Sequence, residues 1–256
     1  MGLWSTLMMA FQDHFSSQAG AYARARPTYP PGLFAELARL AERRDLAWDC
    51  GTGNGQAALG LAAHFGAVVA TDPSGAQLAV AIPHPRVVYR QLPESSSGLD
   101  PGSVDLVAAA QAAHWFDLDR FYLEAARVLR PGGLLAVWCY GVCRIAPGID
   151  DVLGTFYYRT VGPWWPPERG HIDTEYASLP FPWPGLPFPR LAIERSWTLA
   201  ELLAYVETWS AVKRYRDARG EDPMPGLGEL LARPWGPAGR PRLVTWPLAM
   251  RIGRAP

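Results

Sequence analysis

The residues best placed to do chemistry lie in the run Asp49-Cys50-Gly51-Thr52-Gly53-Asn54-Gly55. Glycines on alternate positions let a backbone turn tightly and approach a ligand with no Cβ in the way. Asp72 follows Gly51 by 21 residues. At that separation a carboxylate closing the next strand can accept hydrogen bonds from both ribose hydroxyls of an adenosine-containing ligand. No Lys-Ser or Lys-Thr pair follows the glycines, so no positive charge is positioned for a triphosphate. A dinucleotide and S-adenosylmethionine both remain open. The G-x-G-x-G order, preceded by an acid, departs from the G-x-G-x-x-G of dinucleotide folds.

Apolar runs must position this turn. Residues 46–50 (LAWDC) read as a strand that stops at the glycines, and AALGLAAHF as the helix after them. Residues 67–71 (AVVAT) form a second buried strand ending at Asp72, with Pro73 and Ser74 opening the helical stretch SGAQLAVAI. Strands follow at 86–89 (RVVY) and 104–110 (VDLVAAA), then a helix over 119–129. Pro131, Gly132 and Gly133 end that helix and turn the chain into a fifth strand, LLAVWCY. Ahead of them, 31–44 is an amphipathic helix with Leu33, Phe34, Leu37 and Leu40 at helical spacing. Strand alternating with helix predicts an α/β fold with a mostly parallel sheet covered on both faces.

The texture changes over 163–189, where eight prolines are interleaved with Trp164, Trp165, Phe181, Trp183 and Phe188. Large aromatic side chains among prolines predict a segment that packs, and we expect an ordered cap over the functional edge of the sheet. Thr198 and Glu201 form a capping box ahead of LLAYVETW, and a second helical stretch is expected over 210–218. The run RLVTWPLAMRI reads as a last strand, placed at an edge by Pro247.

Composition narrows the function. Of 256 residues, 25 are Gly and 25 are Pro, while 19% are charged, below the roughly 25% usual for globular chains. A coiled coil and a mostly helical bundle are excluded. Twenty-four basic residues balance 24 acidic ones, so the bulk positive charge that draws proteins to phosphate backbones is missing. Three cysteines without a CxxC pair suit a reducing compartment, and we expect a soluble, cytoplasmic protein with no nucleic-acid or membrane partner. His64, His84 and His171 have no metal-ligand spacing, so no metal is expected. Asp105 reads as a structural acid satisfied by backbone donors.

The segments DCGTGNG, ATDPS, GSVDLVAAAQAAHWFD and FYLEAARVLRPGGLLAVW occur in order. Together they resemble the class I S-adenosylmethionine-dependent methyltransferases, in particular the small-molecule branch with a type 11 domain that includes trans-aconitate methyltransferase-like enzymes. The resemblance spans roughly residues 20 to 140. It implies a Rossmann-like three-layer sandwich, with a mostly parallel seven-stranded sheet and a C-terminal antiparallel strand. It also implies one methyltransferase domain over 1–256. Within it, 1–30 would be a lid-like segment, 31–145 the cofactor-binding half, 146–190 a Pro- and aromatic-rich substrate cap, and 191–256 the rest of the sheet and its covering helices.

Carried onto this chain, the resemblance puts Asp49 near the methionine amino group of S-adenosylmethionine (or of the product S-adenosylhomocysteine). Gly51, Thr52, Gly53 and Gly55 would lie beneath the cofactor, and Asp72 with Pro73 beside the ribose. Glu94 or Ser95 would lie beside the adenine, and Gln111 at the methionine end. His114 is the implied catalytic candidate, either as a base or as a residue that shapes the pocket. Tyr22, Arg26, Tyr29, Trp115, Trp209 and Arg214 would contact the substrate, with Arg24 beside them. The expected reaction is methyl transfer to an oxygen or nitrogen of a small organic acceptor. A protein or nucleic-acid methyltransferase, an NAD(P)-dependent oxidoreductase and a non-catalytic cofactor-binding partner are the alternatives. The oligomeric state is not legible.

Overall fold

The computed structural model describes residues 27–256, so Tyr22, Arg24 and Arg26 lie outside the described residues. Helix α1 (Pro31–Leu40) opens on a proline at its first position and buries Leu33, Phe34, Leu37 and Ala38. The alternation then runs β1 (Leu46–Cys50), α2 (Gln56–Ala62), β2 (Ala67–Thr71), α3 (Gly75–Leu78), β3 (Val87–Arg90), β4 (Val104–Ala110), α4 (Leu118–Val128) and β5 (Leu129–Cys139). After them come α5 (Pro147–Thr155), α6 (Gly170–Asp173), β6 (Ala192–Trp197), α7 (Leu199–Glu207), α8 (Ser210–Arg219), α9 (Met224–Trp235), β7 (Arg242–Pro247) and β8 (Ala249–Arg254).

Among the described residues the main sheet has the order β3-β2-β1-β4-β5-β8, parallel except for β8, which runs antiparallel to β5. The α/β class and the antiparallel C-terminal strand are as expected. The strand count is corrected from seven to six, because β7 pairs with β6 in a separate antiparallel ribbon. The expected single last strand is thus two: the chain leaves the ribbon at Pro247, whose missing N–H suits a strand end, and joins the main sheet from Ala249. The helix after Asp72 is also shorter than expected. It ends at Leu78, and Val80 and Ile82 beyond it are exposed, with no apolar face to bury.

Period-two alternation sends successive strand residues to opposite faces. Ala47, Val68, Ala70, Leu106, Ala108, Leu134 and Ala136 pack with α1 and α2 on one face. Trp48, Val107, Ala109, Leu135 and Val137 pack with Phe121, Ala125 and Val128 of α4 on the other. Each large apolar side chain so buried contributes about 1.5–3 kcal/mol. A further cluster joins α5, α7, α8 and α9 to the ribbon through Leu153, Leu202, Val212, Leu231, Trp235 and Trp246. The capping box at Thr198 and Glu201 is formed. Asp105 accepts from the Asp45 and Leu46 amides and pairs with Arg130, fixing the entry to β1.

In-register pairing of Cys50 with Thr71, and of Asp49 with Ala108, brings the carboxyl ends of β1, β2 and β4 together. In open parallel sheets that edge, outside the strand ends, is where ligands bind.

Candidate active site

The turn after β1 is held from both sides. The Gly51 and Thr52 amides donate to the Thr71 carbonyl at 2.8 and 3.0 Å. Asp72 accepts from the Gly53 amide at 2.8 Å through one oxygen and from the Ser74 amide at 2.8 Å through the other. Gly51 and Gly55 have left-handed φ of 69° and 88°. A Cβ at Gly51 would lie 2.6 Å from Ala112 Cβ, and one at Gly55 would lie 2.3 Å from Tyr89 Oη. These glycines therefore answer to neighbouring protein groups as well as to conformation, a constraint that motif spacing did not reveal. At Gly53, with φ 56°, the nearest atom to an added Cβ is Gln77 Oε1 at 3.8 Å.

Asp49 is fully buried at the end of β1. One of its oxygens accepts from the Thr52 hydroxyl; the other, Oδ1, has no hydrogen-bond partner among the described residues. Burial is the main force on this carboxyl and raises its pKa from the ordinary carboxylate range to about 7. The Thr52 hydroxyl and the Ala58 amide pull it down, and the Asp72 charge pushes it up. Cys50 and Cys139 point into the core, where burial drives their thiols upward, so neither is a nucleophile.

Pro73 is tied through its carbonyl to Gln91 Nε2 at 3.1 Å. Glu94 and Ser95 occupy a half-buried turn after β3, and the Glu94 charge is felt at Cys50, at the end of β1. Gln111 leaves β4 with φ 56°, a strained value for a non-glycine residue. Its side chain clamps the end of β5: Nε2 donates to the Tyr140 carbonyl at 3.0 Å and Oε1 accepts from the Tyr140 amide at 2.8 Å.

The following 3-10 turn, Ala113–Trp115, carries His114, which is buried with Nδ1 2.8 Å from Tyr176 Oη. Tyr176 belongs to the proline-rich stretch, is fully buried, and has φ 61°. Burial raises its pKa well above the usual value, so the hydroxyl stays protonated. His114 Nδ1 and the Tyr176 hydroxyl share this hydrogen bond, and the imidazole tautomer sets which of the two donates. Tyr176 escaped the sequence reading, as it lies 62 residues from its partner with no periodicity linking the two.

Trp115 is half-buried with its ring 4.8 Å from that of His114. Tyr29 packs edge-on against Trp138 and Tyr140 at 5.7 and 6.3 Å. Trp209 is buried beneath Tyr157 and Trp165, at 5.5 and 5.7 Å between ring centroids. Arg214 is half-buried on α8. Ile172, Tyr176 and Leu179 of the proline-rich stretch are buried against the α4 face of the sheet.

A methyltransferase domain model of the type 11 kind matches residues 48–137. The chain is similar to a Dictyostelium discoideum protein named as a methyltransferase, 36% identical over 227 residues that cover 87% of this chain and 86% of that one. A Saccharomyces cerevisiae protein named for S-adenosylmethionine-dependent methyl transfer is 32% identical over 133 residues, 48% of this chain and 45% of that one. Among solved structures, a protein of Anaeromyxobacter dehalogenans described as a type II methyltransferase superposes with a TM-score of 0.85. It is 47% identical, over 90% of this chain and 98% of that one.

Proposed function

Since the chain belongs to the class I S-adenosylmethionine-dependent methyltransferases, we propose that its acceptor is a small organic molecule methylated on oxygen or nitrogen. S-Adenosylmethionine is the cofactor and supplies an electrophilic methyl on a sulfonium centre. The residues present fit it. Asp49, buried with an oxygen that has no partner among the described residues, suits the ammonium of the cofactor. Asp72 suits the ribose, since it closes β2 against the glycine turn and a carboxylate accepts hydrogen bonds from hydroxyls. Thr52 orients Asp49, Gly53 opens the turn, Pro73 positions Ser74, and Glu94 and Ser95 would border the adenine. Gln111 would act on the methionine end through the Tyr140 backbone it fixes.

What this chain contributes to the reaction is approach and orientation. Effective molarities in well-oriented sites are large, and excluding water keeps the methyl for its acceptor. The observation that carries the small-molecule reading is the aromatic cluster of Tyr157, Trp165 and Trp209, which bears on the His114 turn through Arg169, seated on Trp165 in the turn that packs against Ala113–Trp115. Apolar walls with few polar groups suit a compact acceptor. His114, held by Tyr176, would shape the pocket beside the acceptor. The free, buried cysteines support a reducing, cytoplasmic setting, and among the described residues no helix is long and apolar enough to cross a membrane.

The test is transfer of labelled methyl from S-adenosylmethionine to panels of carboxylic acids, phenols and amines, run beside DNA, RNA and protein. Turnover on a small molecule supports the reading. Turnover confined to a macromolecule, or none on any panel, overturns it.

A further inference from the structure

Arg169 ends the 3-10 turn Pro167–Arg169 and is half-buried. Its Nε donates to Tyr157 Oη at 2.6 Å, and Tyr157 in turn donates to Asp173 Oδ1 at 2.7 Å. The guanidinium carbon lies 4.7 Å from the Trp165 ring centroid and 5.4 Å from that of Tyr157. Two aromatic faces and one directed hydrogen bond thus hold the group in place.

Among the described residues it has no carboxylate partner. Arg127, Arg130 and Arg216 pair with Glu124, Asp105 and Glu207, whereas among the described residues Arg169 makes no ion pair. Asp173, the acid nearest in its network, is separated from it by the Tyr157 hydroxyl, and Glu168 beside it in the chain does not pair with it. The four N–H groups on Nη1 and Nη2 have no protein acceptor among the described residues. A guanidinium immobilised with its fork open is preorganised to receive an acceptor in place of water. The turn bearing Arg169 packs against Ala113–Trp115, so the open fork belongs to the neighbourhood of His114. Its charge is felt at Tyr176 and at Cys139 on the end of β5.

We infer that Arg169 is the residue that recognises the acceptor, receiving a carboxylate or phosphate on its Nη pair beside the His114 turn. A planar or tetrahedral oxyanion accepts two parallel N–H bonds in that geometry, which a lysine or a neutral amide cannot reproduce. The inference rests on the small-molecule reading and sharpens it to an anionic acceptor. It concerns binding of the anion and specifies no acceptor atom.

The test uses the full chain saturated with S-adenosylhomocysteine and titrated by calorimetry with benzoate, phenyl phosphate and neutral benzamide. The wild type is expected to bind at least one of the two anions tenfold or more tightly than benzamide. Arg169→Gln should reduce that preference to near unity and Arg169→Lys should keep part of it. Both variants should bind S-adenosylhomocysteine within twofold of wild type, which verifies folding. Equal affinity for benzoate, phenyl phosphate and benzamide overturns the inference. So does anion binding that survives Arg169→Gln, or wild-type affinity for both anions weaker than about 10 mM. Because the readout is binding, failure to methylate small molecules would count against the wider reading and leave this result interpretable on its own.

Discussion

The carboxylate of Asp72 accepts a hydrogen bond from the amide of Gly53 at 2.8 Å, so the end of β2 directly holds the turn that leaves β1. Asp72 therefore has a structural task inside the protein as well as the ribose role proposed for it. Asp72→Ala should lose both, weakening S-adenosylhomocysteine binding by roughly 1–3 kcal/mol and lowering stability by a similar amount. Asp72→Asn, which keeps one acceptor, should lose less of each. Calorimetric titration and thermal unfolding of the same samples check this; unchanged affinity in Asp72→Ala would remove Asp72 from the site.

Asp49 makes cofactor affinity depend on pH. In the free protein burial holds its pKa at about 7, and a bound ammonium favours the ionised form. Below pH 7 a proton must leave on binding, so affinity should fall as pH drops, by up to about tenfold per unit. Asp49→Asn should flatten the profile. The stability effect has the opposite slope. The folded chain keeps this proton up to about pH 7, while the unfolded chain releases it near the ordinary carboxylate pKa. The Asp49 contribution to stability therefore declines as pH rises from about 4 to about 7. Affinity that stays constant between about pH 5.5 and 8 would argue against an ammonium at Asp49.

Gly55 tests whether the turn glycines serve the protein or only a ligand. Gly55→Ala forces a Cβ to within 2.3 Å of Tyr89 Oη at φ 88°, and should destabilise the free protein by about 2 kcal/mol or more. Tyr89→Phe in the same chain should restore part of that loss, since it removes the nearest atom, but not the part due to φ. Urea unfolding of the single and double variants reads the coupling. Full stability in Gly55→Ala would leave the close packing without consequence.

His114 and Tyr176 separate base catalysis from pocket shaping. With His114 Nδ1 hydrogen-bonded to the Tyr176 hydroxyl, His114→Gln should retain partial turnover with a raised acceptor KM and normal cofactor affinity. Tyr176→Phe should shift the pH profile of kcat/KM by freeing the imidazole tautomer. Complete loss of kcat in His114→Gln at unchanged S-adenosylhomocysteine affinity would instead identify His114 as an obligatory base.

Local chemistry was readable in the sequence. β1, β2 and β4 begin and end where their apolar runs do, because a strand buried on both faces needs an unbroken apolar run bounded by turn residues. The Thr198 capping box is likewise a contact between residues three apart. The glycine turn and Asp72 were visible because a strand, a turn, a helix and the next strand fix their spacing before any distant contact forms.

The tertiary structure decided what depends on partners far along the chain. The bonds of the Gln111 amide to the Tyr140 backbone, 29 residues away, could not be read from the sequence. RLVTWPLAMRI read as one strand because its apolar pattern does not say which sheet each half joins; Ala192–Trp197 and Leu129–Cys139 compete for it and divide it at Pro247. The proline-rich stretch showed only that it should pack. That Tyr176 would meet His114, and that Arg169 would be fixed on Trp165 and Tyr157, follows from no period or motif. The sequence by itself determined the α/β class and the glycine turn, which local backbone geometry dictates. Folding alone settled how the proline-rich stretch meets the His114 turn, since hydrogen bonds and ring contacts there join residues whose separation along the chain carries no signal.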